Sequence, residues 1–215
     1  MSRSSGRRVV FCRHGQTAWN AVGRFQGQLD PPLDATGEAQ AVRAAGLLAT
    51  MRPDVLISSD LQRAVATAAP LAQRCGLTAE ADERLREIWL GEWQGLTVVE
   101  AKERFPDEHE SWMQGRDIRR GGGETYAEAG ARAVAAVRER LDAVPTDGTL
   151  VAVTHGGTAR AALGTLLELP ADSWWRLAPV GNAQWSIAVA GKRGWRLAEH
   201  NAGTPLHEAI GDDAR

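Results

Sequence analysis

Three places in the chain set charged or nucleophilic side chains directly behind short apolar runs. "VVFC" is followed by Arg13, His14 and Gly15, "VLI" by Ser58, Ser59 and Asp60 with Arg63 close behind, and "LVAVT" by His155, Gly156 and Gly157. Arginine offers a planar fork of donors and keeps its charge at neutral pH, so a pair can hold a phosphoryl group while charge shifts among its oxygens. Neutral imidazole is a nucleophile able to carry that group covalently, which divides a hard hydrolysis into two easier steps. Glycine behind each histidine lets the backbone come close and turn N–H groups toward a ligand. Two arginines and two histidines on adjoining ends would make an anion pocket with a nucleophile in it. The condition is that the three runs lie side by side in one parallel sheet, because ligands of such sheets bind beyond the carboxyl ends of the strands.

The patterning meets that condition. Short runs rich in Val, Ile and Leu alternate with longer segments of helical period, which predicts an α/β layered fold. Strands are expected at Arg8–Cys12, Val55–Ser58, Leu150–Thr154, Ala183–Ala190 and Trp195–Glu199. The first three are continuous apolar runs, as expected of strands covered on both faces, so the fold class is α/β: a three-layer sandwich with a mainly parallel central sheet flanked by helices. Thr97–Glu100 and Thr125–Glu128 fit the capping box and predict two helix starts. Behind the second, Val134, Val137, Leu141 and Val144 form an apolar stripe. "GEAQAVRAAGLLATM" and "LQRAVATAAPLAQRCG" read as two further helices, with Pro70 expected to start or kink a segment rather than sit inside one.

At 215 residues the chain suits one domain, 1–215, with an insertion at about 93–123. That stretch is dense in Glu, Arg and Gly and reads as a lid or specificity element. A hydrophobic share of 43%, a charged share of 24% and a net charge of -2 give no reason to expect nucleic acid. Cys12 and Cys75 match neither a metal site nor a disulfide framework, which suits a reducing cytoplasm. No apolar stretch approaches the roughly 20 residues needed to cross a bilayer. Residues 1–6 and the final "HEAIGDDAR" read as loose ends.

"RHGQTAWN" resembles the signature of the histidine phosphatase superfamily, the phosphoglycerate mutase-like group. The resemblance continues through "SSDLQRAVATA", "RLREIWLGEWQGLT" and "VTHGG" in the family's order, from about residue 8 to residue 160. It implies that His14 is the phosphorylated histidine, that Arg13 and Arg63 flank the phosphoryl group, and that His155 stabilises the transferring charge. It also selects Glu87 as proton donor from among Glu83, Glu87 and Glu92, and makes Asn20, Gln26 and the Gly156 amide phosphate contacts. Arg63 shows why the resemblance matters: its place early in an amphipathic helix would alone suit a surface arginine. No metal or other cofactor is implied, and no His/Cys/Asp cluster has ligand spacing.

The implied function is a metal-independent phosphomonoesterase that cleaves a small phosphorylated metabolite through phosphohistidine. Its substrate would be a sugar phosphate or a phosphoglycerate-type compound, glucosyl-3-phosphoglycerate among them. A cofactor-dependent phosphoglycerate mutase shares the catalytic core, but mutases carry longer insertions and a tail that shield phosphohistidine, and this chain is short. A non-catalytic phospholigand-binding regulator is the third reading. The expected partners are a small phosphate ester and, from the habit of the family, a second copy of the chain, with no nucleic acid or membrane. His109, His200 and His207 read as surface residues, Arg116, Arg119 and Arg120 as a charged loop face, and Trp89, Trp93 and Trp112 as core.

Overall fold

A computed structural model describes residues 6–203. Six strands, β1 (Arg8–Arg13), β2 (Val55–Ser58), β3 (Ala79–Ala81), β4 (Thr149–Thr154), β5 (Trp185–Gly191) and β6 (Gly194–Ala202), form one sheet in the order β3-β2-β4-β1-β5-β6. The first four in that order run parallel, while β5 pairs antiparallel with β1 and β6 antiparallel with β5. The helices are α1 (Ala18–Ala21), α2 (Ala35–Ala49), α3 (Gln62–Cys75), α4 (Val98–Arg104), α5 (Pro106–Met113), α6 (Tyr126–Leu141) and α7 (Gly156–Leu166).

The continuous apolar runs behave as strands covered twice. Val9 and Phe11 of β1 join Leu150 and Ala152 of β4 in a core with Val137 of α6 and Ala162 of α7. Val10 and Cys12 point the other way, to Val151, Val153, Leu48 of α2 and Leu71 of α3. All four residues of "VVFC" are at most 1% exposed, so neither face of the strand can be polar. The result is the three-layer sandwich, with two antiparallel strands closing one side. Register sets the height at which each strand ends: Arg13 lies beside Thr154, and Ser58 beside Val153. The three strands therefore end within one residue of a common level, with 59 level with Arg13 and Thr154 and residues 14 and 155 one step beyond.

Both predicted capping boxes close, at Thr97–Glu100 and Thr125–Glu128, and a third, Thr17–Asn20, uses an asparagine where the usual pattern has Glu or Gln. Pro70 corrects the reading of its helix, since α3 runs through it without a break. The carbonyl left without its donor belongs to Ala66, which is exposed, so water can satisfy it. β5 begins at Trp185 rather than Ala183, because Ala183 takes a left-handed φ of 54°. β3 is an addition to the expected strands, since three residues reading Ala-Glu-Ala carry no apolar run. Residues 93–123 pack into a third cluster shared with the rest of the fold, in which the fully buried Trp93 and Ala101 join Phe25 and Leu90. The closing "HEAIGDDAR" and residues 1–5 lie outside the described residues. Among those described, no helix is long and apolar enough to cross a membrane.

Candidate active site

β1 delivers His14 into the site, and the atoms around it fix the ring. Its Nδ1 lies 2.6 Å from the carbonyl oxygen of Gly15. A carbonyl can only accept, so Nδ1 carries the proton and donates, which leaves the lone pair of the neutral ring on Nε2. Burial, then the guanidinium of Arg63, then that of Arg13 hold His14 well below the 6.5 of an ordinary imidazole. The ring is thereby kept neutral, as a nucleophile must be.

Gly15 has a reason other than the expected one. Its amide donates to Thr67 Oγ1 at 3.0 Å rather than toward a ligand. A Cβ at Gly15 would stand 2.4 Å from the carbonyl oxygen of Gly37, so the strand end and the start of α2 touch backbone to backbone.

His155 leaves β4 beside it, with the two ring centroids 5.2 Å apart and the planes tilted by 58°. His155 Nε2 is 2.9 Å from Ser59 Oγ, and the ring is fully buried. Burial and the charges of Arg63, His14, Arg132 and Arg13, in that order, hold it well below its ordinary value. Arg63, 0% exposed, donates to the carbonyls of Leu29 at 2.7 Å and Gly27 at 2.8 Å and lies 3.7 Å from Asp30. Arg13 donates from Nη1 to the carbonyl of Val180 at 2.9 Å. A Cβ on Gly156 would meet the Arg13 guanidinium at 3.3 Å, which places the start of α7 directly against that cation.

Glu87 caps the same helix. Its Oε1 accepts from the amides of Thr158 and Ile88, both at 2.9 Å, and its Oε2 from the amide of Gly157 at 3.1 Å. Glu87 is 4% exposed, whereas the side chains of Glu83 and Glu92 are 76% and 72% exposed, so only one of the three carboxylates is built into the site. Asn20 and Gln26 are both buried and both linked to Thr17 Oγ1, which lies 3.1 Å from each of their side-chain oxygens. Asn182 ties this group to His14 by donating to the carbonyl of His14 at 3.1 Å and to Asn20 Oδ1 at 3.3 Å. All eight residues singled out in the sequence thus converge beyond the carboxyl ends of β1, β2 and β4.

Several supporting residues are visible only in the fold. Arg132 on α6 donates to the carbonyls of Arg84 and Arg86, both at 2.7 Å, and of Glu87 at 3.0 Å, so it holds the turn that carries Glu87. Thr154 Oγ1 donates to the carbonyl of Leu85 at 2.7 Å and fixes the same turn to β4. Thr67, Thr158 and Asn182 belong to the same set, and no local pattern in the sequence marks them; Ser59, which the sequence places behind the second apolar run, joins them through His155.

Other expectations change. Arg120 is 2% exposed, with its guanidinium carbon 5.0 Å from the centre of the Tyr126 ring, so it is no part of a charged loop face. Trp89 is 47% exposed rather than core. His109 lies against Trp93 with ring centroids 6.3 Å apart, and His200 is bonded to Ser186 Oγ and the carbonyl of Ala178, both at 2.9 Å. A cavity of about 320 Å³, walled by Trp112, Tyr126, Arg160 and Trp175 among others, lies to one side and includes none of the eight residues. Among the described residues, no group of three or more His, Cys, Asp or Glu side chains is placed to hold a metal ion.

Residues 9–203 match the sequence profile of the histidine phosphatase superfamily (branch 1). Glucosyl-3-phosphoglycerate phosphatase of Mycolicibacterium vanbaalenii is 41% identical over 191 residues, which is 86% of this chain and 84% of that protein. Phosphoserine phosphatase 1 of Hydrogenobacter thermophilus is 32% identical over 181 residues, 84% of this chain and 85% of the relative. A solved structure of a mycobacterial glucosyl-3-phosphoglycerate phosphatase in complex with VO3 superposes with a TM-score of 0.85 at 39% identity, covering 92% of this chain and all of that one.

Proposed function

The chain belongs to the histidine phosphatase superfamily, and from that premise we propose that it is a phosphomonoesterase working through a phosphohistidine at His14 Nε2. One observation carries the reading: a neutral imidazole, with its lone pair on Nε2, set between two buried guanidinium groups and a second buried imidazole. In the first step His14 Nε2 attacks phosphorus, the ester P–O bond breaks, and Glu87 gives its proton to the departing alcohol. In the second step water attacks phosphohistidine, Glu87 takes the proton, and the P–N bond breaks to release inorganic phosphate. Arg13, Arg63 and His155 stabilise the equatorial oxygens, with Asn20, Gln26 and the Gly156 amide as neutral contacts. Such preorganised charge is worth several kcal/mol on the order of other oxyanion sites.

The substrate reading is glucosyl-3-phosphoglycerate, supported by the relatives of that name, which match over most of both chains. Residues 93–123 then serve as the specificity element of a single domain, and the working form is a cytoplasmic homodimer. The mutase and the non-catalytic regulator are the readings to be tested against. Phosphate release is measured on p-nitrophenyl phosphate, 3-phosphoglycerate and glucosyl-3-phosphoglycerate with the native protein and His14→Ala. Release that disappears in the variant is the expected result. Binding without release in the native protein would refute the phosphatase, and 2-phosphoglycerate formed from 3-phosphoglycerate with 2,3-bisphosphoglycerate present would make it a mutase.

A further inference from the structure

We propose that Ser59 is a positioning residue that fixes the proton of His155 on Nδ1, so that this ring enters the reaction as a hydrogen-bond donor to a phosphoryl oxygen. The inference rests on the phosphatase reading above and adds to it a residue with no contact to substrate.

Neutral imidazole carries one proton, and the partner of one nitrogen decides which nitrogen bears it. His155 Nε2 faces Ser59 Oγ at 2.9 Å, and both residues are 0% exposed. A hydroxyl has one proton to give and two lone pairs. One lone pair of Ser59 Oγ receives the amide of Leu61 at 3.3 Å. Among the described residues the hydroxyl proton has a single acceptor in reach, His155 Nε2. Were the proton on Nε2 instead, the serine would accept twice and bury its own O–H with nothing to bond. With a phosphoryl oxygen opposite Nδ1, that tautomer leaves the serine proton unbonded and turns a lone pair toward the anion, whereas Nδ1–H satisfies both donors. The Nε2–H form is thus disfavoured about tenfold or more in the occupied site.

The consequence appears at the other nitrogen. His155 Nδ1 is buried and has no hydrogen-bond partner among the described residues. With its proton in place it is a donor in a pocket shared with Arg13, Arg63 and His14. The two rings of the site are thus polarised in opposite senses by their neighbours. The carbonyl of Gly15 can only accept, and so leaves His14 Nε2 with a lone pair. The hydroxyl of Ser59 can donate, and so leaves His155 Nδ1 with a proton. One ring is made ready to attack and the other to stabilise what forms.

The direct test is a long-range ¹H–¹⁵N correlation spectrum of the native protein with labelled histidine, recorded with and without orthovanadate and assigned with the His155→Ala variant. A protonated Nδ1 and a bare Nε2 on His155 are expected with orthovanadate bound; the proton on Nε2 there overturns the proposal. Ser59→Ala should lower kcat about tenfold with little change in KM. In a His155→Ala background it should cost nothing further, whereas a merely structural serine would cost the same in both. A native protein that hydrolyses p-nitrophenyl phosphate yet shows Nε2–H refutes this inference alone, and one that releases no phosphate from any ester refutes the phosphatase reading and the inference with it.

Discussion

Replacing Arg132 by methionine tests whether Glu87, the proposed general acid, is placed from a distance. Arg132 donates to three carbonyls of the turn that carries Glu87, and meets Glu124 with Nε and Nη2 at 2.9 and 2.8 Å. Two of those carbonyls keep a second donor when it is gone, Arg86 from Thr158 Oγ1 at 2.9 Å and Glu87 from Gln28 Nε2 at 3.2 Å. The Arg132 and Glu124 side chains are 19% and 22% exposed, so the ion pair lies between the surface case and the buried one and is partly screened. One charged hydrogen bond lost outright and one half-screened pair broken give a cost of about 3 kcal/mol. For a chain of this size that is a fall of about 9 °C in Tm. Glu87 keeps its bonds to Gly157 and Thr158, so kcat should fall about tenfold rather than vanish. Lysine should not rescue, because a point charge cannot reach three carbonyls at once. Urea unfolding and phosphate release on the same preparation read both effects. A loss under about 1 kcal/mol with unchanged turnover would show that the turn holds itself, and the reasoning would fail.

Gly15→Ala should cost about 1–3 kcal/mol, because the new methyl meets the Gly37 backbone at 2.4 Å and neither chain can swing aside. Phosphate release should drop with it, since His14 is the adjoining residue; a variant within twofold of native in activity would contradict the close approach. The rings of His14 and His155 are both held well below 6.5, so the acid limb of kcat/KM should lie below pH 6.5 once titration of the substrate is divided out. Folding stability should decline as pH falls through 6.5, where the unfolded chain takes up protons that the folded rings refuse, and a stability that rises there would reverse the sign.

Legibility followed the range of the forces involved. β2 has the bounds the apolar run predicts, and β1 and β4 lie within one residue, because a strand covered on both faces announces itself in its own side chains. β3 depends on pairing with Leu56 to Ser58 and so has no signal of its own. The start of β5 is set by a strained residue, Ala183, whose amide lies 3.1 Å from the carbonyls of both Arg13 and His14, a constraint imposed from the opposite end of the chain. The site divides in the same way. Arg13, His14 and His155 are readable because each stands at the end of a strand, but apart from the family resemblance nothing in the residues themselves distinguishes Glu87 from Glu83 and Glu92. Burial against the first turn of α7 makes that choice, and burial is a property of the fold.

The arginines show what spacing alone leaves open. A sequence that places Arg13 at a strand end says nothing about its neutralisation, and a nearby carboxylate would turn an anion site into an internal salt bridge. In the fold Arg13 is 2% exposed, its Nη1 meets a carbonyl, its Nε has no partner, and no ion pair forms on it among the described residues. Burying a cation against neutral groups is unfavourable for stability, and it persists where the field is needed for something else. Here the field has two effects at once. In the proposed reaction it attracts a phosphoryl dianion into a chain whose net charge is -2, and, behind burial and Arg63, it helps to hold His14 below its ordinary value. A carboxylate placed to relieve the cation would weaken both, because the same guanidinium would serve the anion and add to the burial and the Arg63 charge that lower His14.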